Sequence, residues 1–98
     1  MEQFNTTDYL KNDKELQREY LSELLNNYLF DGDTEAFLSA LKPLIEAESS
    51  VSSFAKKSNI NRTYFYKIFS HKTNPDFNTL IKIIQTFGFD MKIELLSA

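Results

Sequence analysis

Cysteine is absent from this chain of 98 residues, which excludes a disulfide framework, a thiolate metal site and a thiol nucleophile. A cysteine-free chain suits a reducing compartment, and the expected location is the cytoplasm. Histidine occurs once, as His71, and no glycine-rich phosphate loop is present, so neither a metal nor any other cofactor is expected. Two glycines and two prolines leave no room for a long linker, and no repeats are visible. The longest apolar runs are too short to cross a bilayer, so no membrane partner is expected. The opening Met-Glu-Gln-Phe-Asn-Thr-Thr-Asp lacks the basic and apolar regions of a signal peptide. No nucleophile has a base beside it in the pattern of an enzyme, and the carboxylates Asp31 and Asp33 are accounted for by a helix end and a helix cap. A single domain over 1–98 is expected, large enough for a modest core.

What is present is a sharp division of charge. Residues 1–48 hold eleven Asp and Glu against four Lys and Arg, a balance of −7, whereas residues 49–98 hold three against seven, a balance of +4. The whole-chain value of −3 conceals an acidic half joined to a basic one. The basic half fits a polyanion; the acidic half would be repelled by DNA and suits a basic partner, unless it is simply a solvated face.

The periodicity predicts an all-α chain. Asp8-Tyr9-Leu10 reads as an extended lead-in. Asp13 caps a helix running to about Phe30, with Leu16, Tyr20, Leu24 and Tyr28 at i+4 steps and Leu21 and Leu25 beside them. Gly32 supplies a left-handed residue after it, and Asp33 caps the next helix, which turns Phe37, Leu41, Leu44 and Ile45 inward. Pro43 inside that helix predicts a kink or a restart. Further helices are expected over about Val51–Ser58 and Arg62–Ser70, the latter capped by Asn61. Asn74-Pro75 forces extended backbone, and Asn78 is expected to cap a final helix carrying Leu80, Ile83, Ile84 and Phe87 and ending at Gly88.

The segment from Ser50 to Phe87 reads as a helix-turn-helix. Val51, Phe54 and Ala55 form one apolar edge, Asn59-Ile60-Asn61 breaks the pattern, and Phe65, Ile68 and Phe69 face inward from the second helix. Ala55 must be small where the second helix passes over it, and Ile60 plugs the corner. Arg62, Thr63, Tyr66 and Lys67 are left on the outer side, where such side chains reach base edges and phosphates. A double-stranded DNA partner is expected for this half.

Phe89, Met91, Ile93 and Leu95 alternate with Asp90, Lys92 and Glu94, the period of a strand. No second strand is evident, so the expected partner is the same strand, 89–96, of another copy, giving a homodimer through Met91, Lys92, Ile93, Glu94 and Leu95. A two-fold axis at Ile93 sets Lys92 against Glu94 and Met91 against Leu95; an axis at Met91 is the alternative.

Taken in order, Asp8-Tyr9-Leu10, the helix before Asp31-Gly32-Asp33, Glu35-Ala36-Phe37-Leu38-Ser39-Ala40-Leu41, Asn74-Pro75, Thr79-Leu80 and Phe87-Gly88-Phe89 resemble the antidote (antitoxin) proteins of addiction modules, of the Xre-type, HigA-like helix-turn-helix group. The resemblance covers about residues 8–96. It departs at Asn59, where the turn usually carries glycine, and at Pro43. It implies a lambda-repressor-like helix-turn-helix region over 49–88, preceded by two acidic N-terminal helices over 8–48 and followed by the dimerisation strand. It also implies binding to a small basic RNA-degrading toxin of the RelE/HigB kind and repression of the protein's own operon.

Carried over residue by residue, the resemblance places Asn61, Arg62, Thr63 and Lys67 at the exposed start of the recognition helix. Arg62 would read guanine, Asn61 adenine or a phosphate, and Thr63 a thymine methyl. Lys56, Lys57 and Lys67 would anchor phosphates, with Tyr66 and Lys72 reaching the backbone. Tyr64 is expected to be partly core, and His71 a solvated loop residue. Glu15, Glu19, Glu23, Asp31 and Asp33 would face the toxin. Tyr9, Tyr20, Tyr28 and Phe30 are expected to serve chiefly the core, some of them adding to the toxin-facing patch. A fragment beginning near Ser49 is expected to lose neutralisation and to keep weak DNA binding only if it folds. A stand-alone phage-type repressor is the second reading, and a neighbouring reading frame of strongly basic composition would separate the two.

Overall fold

Six helices form the regular structure of residues 5–98, the part of the chain that a computed structural model describes. They are α1 (Thr6–Leu10), α2 (Lys14–Asp31), α3 (Thr34–Glu48), α4 (Val51–Lys57), α5 (Arg62–Phe69) and α6 (Phe77–Thr86). Every one begins in the same way. Asn5, Asp13, Asp33, Ser50, Asn61 and Asp76 each accept, through a side-chain oxygen, the backbone N–H three residues on, at 2.8 to 3.3 Å. These bonds satisfy donors that a helix start otherwise leaves orphaned.

The last three helices also end alike. The N–H of Asn59 donates to Lys56 and that of Ile60 to Ala55; His71 and Lys72 repeat the pattern on Ile68 and Lys67, as do Gly88 and Phe89 on Gln85 and Ile84. This wrap needs one left-handed residue, and Asn59 (φ 57°), His71 (φ 62°) and Gly88 (φ 87°) supply it. Only Gly88 does so without a Cβ. His71, expected as a solvated loop residue, is exposed but also a helix stop held in a conformation that side chains resist. His71→Gly should raise stability by up to about 1 kcal/mol, read as a higher urea midpoint, and Asn59→Gly by less because asparagine tolerates this region. A lowered midpoint for His71→Gly would mean that the imidazole compensates the strain.

α3 is the hub, packing against α1, α2, α4 and α5. Its Leu38, Leu41, Leu44 and Ile45 are buried, and the core draws on all six helices, including Leu10 of α1, Leu21 of α2 and Ile83 and Ile84 of α6. Phe54 of α4 joins two halves of that core, with its ring 4.8 Å from Phe87 and 6.1 Å from Phe65. α2 is seated by its tyrosines. Tyr20 donates to the Ala40 carbonyl at 2.7 Å, and burial pushes its phenol pKa up. Tyr28 stacks on Phe37 at 4.8 Å and shares a hydrogen bond with Thr34. Lys14 ties the start of α2 to the end of α6, donating to the Phe87 carbonyl at 3.0 Å while meeting Glu48 and the Phe89 ring. The amide of buried Gln17 donates to the Leu10 carbonyl at 2.8 Å, closing the α1–α2 corner.

Five sequence expectations are corrected. Asp8-Tyr9-Leu10 is not extended but the second half of α1, a turn started by the Asn5 cap and anchored by Leu10. Pro43 causes no restart. α3 runs through it as one helix, since Leu41, Leu44 and Ile45 hold both sides in the core; the expected kink is compatible with that continuity. The final helix is capped by Asp76, not Asn78: Asp76 accepts both the N–H and the hydroxyl of Thr79, which hold its carboxyl below the usual range. No strand occurs among the described residues, and 89–98 carry no regular structure, since a strand needs a ladder partner that this single chain does not offer. Phe30, 93% exposed, and Tyr9, 56% exposed, are not core.

Candidate functional site

The α4–turn–α5 unit is fixed by small and branched side chains at its corner. Ala55 and Ile60 are buried beneath the crossing, and the buried Ser58 hydroxyl returns to the Ala55 carbonyl at 2.9 Å. Phe65 and Ile68 face the core, with Tyr64 half-buried at the flank. At about 100° per residue, Arg62, Tyr66, Thr63 and Lys67 then fall side by side on the opposite arc, and all four are exposed.

Two details refine what these side chains can do. The Asn61 oxygen is committed to capping α5 through the Tyr64 N–H, 3.1 Å away, so a bidentate adenine contact would compete with the cap. Its amide nitrogen remains a donor for a phosphate. The Arg62 guanidinium lies over the Tyr66 ring, 5.6 Å from its centroid, which restricts its swing and presents it from the first turn of the helix.

Charge reinforces this face. Residues 49–75 contain Lys56, Lys57, Arg62, Lys67 and Lys72 and no Asp or Glu. All five are exposed, and none pairs with a carboxylate among the described residues. Lys56 and Lys57 lie in the last turn of α4, just before the corner, and Lys72 just after α5. Uncompensated cations gathered on one stretch create a positive field suited to a polyanion. Among the described residues no group of His, Asp and Glu could hold a metal ion, and no helix is long and apolar enough to cross a membrane.

The acidic residues of the first half separate into two kinds. Glu15 binds Arg18, which holds the Glu15 carboxyl below its ordinary range while Glu15 raises the guanidinium. Asp31 accepts the Asp33 N–H at 2.9 Å, and Asp33 caps α3. These three have local structural work. Glu19 and Glu23 form no salt bridge among the described residues, although Glu19 adds to the field that raises the Arg18 guanidinium. Sequence reasoning missed the large apolar side chains exposed at the end of α2, Leu29 (84%) and Phe30 (93%). Helical phase was the available signal: nine residues separate Leu21 from Phe30, half a turn in excess of whole turns, which puts them on opposite sides.

A second surface is a groove of about 610 Å³ between α2, α6 and the C-terminal segment, with Leu25, Leu29, Phe77, Leu80, Met91 and Ile93 among its lining residues. Beyond it Leu95 and Leu96 are almost fully exposed. The five residues 91–95 expected at a dimer interface are therefore placed together, four of them on this groove and Leu95 beyond it.

A family model described as a probable addiction module antidote protein matches residues 1–95. An uncharacterized protein of Haemophilus influenzae is 28% identical over 94 residues, covering 96% of this chain and 91% of the relative. No solved structure matches. With nearly its whole length spanned by that one model, the chain belongs to the addiction module antidote family.

Proposed function

We propose that the protein is the antitoxin of a type II toxin–antitoxin module, neutralising a RelE/HigB-like RNase toxin by direct binding and repressing its own operon as a cytoplasmic Xre/HigA-like helix-turn-helix protein. Family membership implies the toxin partner. DNA binding is supported above all by one observation: five exposed cations without an ion pair lie on α5 and the segments that flank it, with no acid between residues 49 and 75. The acidic half is the natural counterpart of a basic toxin and would be repelled by DNA. A homodimer through Met91–Leu95 fits the apolar side chains left exposed there, covered by packing on the groove and not by a strand ladder.

The test is titration of the promoter fragment of the protein's own operon. Arg62→Ala should weaken specific binding by about 1–3 kcal/mol and relax preference at one base pair per half-site. Lys57→Ala should weaken all sequences alike and flatten the salt dependence. In the same titration Ile93→Asp should reduce occupancy from two half-sites, about one helical turn apart, to one. Unchanged affinity and preference for Arg62→Ala would remove α5 as the reading helix.

A further inference from the structure

The solvent side of α2 is polar along most of its length but ends on a fully presented aromatic, Phe30. Counting about 100° per residue, Glu19, Glu23 and Phe30 lie within about 40° of one another, opposite buried Leu21, along a ridge of roughly 16 Å. Leu29 flanks it. A phenylalanine left 93% exposed gains nothing in the isolated chain, and the i,i+4 pair Glu19–Glu23 is mildly repulsive. The backbone at the end of α2 is nevertheless tied down: the Gly32 N–H closes on the Tyr28 carbonyl at 2.8 Å, and Tyr28 is stacked on Phe37 two residues before Phe30. An aromatic has few rotatable bonds to order on docking and is the kind of residue that dominates interfaces.

Resting on the reading of the acidic half as toxin-binding, we infer that the outer ridge of α2 docks a basic protein, with Phe30 entering an apolar pocket and Glu19 and Glu23 meeting lysines or arginines beside it. Charge selects this occupant. A second copy packed about Phe30 would bring Asp31 and Asp33 of both chains together, and DNA or an anionic membrane would face the same carboxylates. The groove between α2 and α6 has Arg18 and Lys92 as well as Asp90 and Glu94 on its rim, a mixed pattern that does not select a basic partner.

The probe is the protein encoded by the reading frame adjacent to this one, purified in complex with the full chain. Phe30→Ala should weaken the complex about thirtyfold, mainly through faster dissociation, with thermal unfolding of the free chain unchanged. Glu19→Gln with Glu23→Gln should slow association about tenfold at low salt, an effect shrinking as salt rises. Glu35→Gln with Glu46→Gln removes equal charge from exposed positions on α3 and should change association little. A complex that forms with wild-type affinity despite Phe30→Ala, or is slowed equally by both glutamine pairs, overturns the ridge while leaving the antitoxin reading intact. Failure of the wild-type chain to bind that protein overturns both. A Phe30→Ala variant that loses self-association while keeping the complex assigns the ridge to a second copy and overturns the inference.

Discussion

A fragment beginning at Ser49 should be unfolded, with a coil-like circular dichroism spectrum and no measurable affinity for DNA or toxin. Charge divides the chain at that point, but the core does not. α3 supplies Phe37, Leu38, Leu41, Leu44 and Ile45 to the cluster that also holds Phe54, Phe65 and Ile68, and Leu10 and Leu21 join it from the other helices of the acidic half. Each such side chain contributes about 1.5–3 kcal/mol on burial. Their joint loss exceeds the roughly 5–15 kcal/mol by which a domain is normally stable. The basic half thus carries the charge for a polyanion but not the means to hold its shape. A helical spectrum with a cooperative urea transition from residues 49–98 would show that α4, α5 and α6 close a core without α3.

Phe54→Ala should cost about 3–5 kcal/mol, measured by urea denaturation of the full chain. Phe54 is fully buried, and its ring is the contact shared by Phe65 of α5 and Phe87 at the end of α6. Truncation leaves a cavity between three elements, and helices are poorly able to collapse into a void bounded on several sides. Operator binding should fall in step with the unfolded fraction, whereas Arg62→Ala affects binding and leaves stability near wild type. A cost below about 1 kcal/mol would mean that the aromatic cluster is not a close-packed joint.

The sequence carried those features that are written locally. Asp13, Asp33 and Asn61 are cap residues at the head of periodic apolar runs, Gly32 and Gly88 follow such runs, and all five act as read. The outward arc of α5 was legible because Phe65 and Ile68 fix its phase and leave Arg62, Thr63, Tyr66 and Lys67 on the far side. What failed depended on context. α1 spans five residues, too few to display a helical period. Asp76 and Asn78 are both cap-type residues, and only the double bond to Thr79 decides between them. The alternation over 89–96 is genuine, but a ladder requires a second strand, and alternation in one segment cannot provide it. Phe30 misled because hydrophobicity alone reads as core; its exposure follows from position on the helix, not from its type.

The Asn59 turn carries a consequence for how this chain can vary. Ser58 to Asn61 sets the angle from which α5 starts as well as the point at which α4 stops. Removing one residue there, or adding one, would rotate every later position of α5 by about 100° relative to α4. Arg62 and Tyr66 would then turn toward the space now filled by Phe65 and Ile68, and the two apolar side chains would turn outward. Substitutions along the exposed arc leave the helix's phase untouched. The loop is consequently intolerant of any change in length, while Asn59 itself, exposed and left-handed, can give way to glycine.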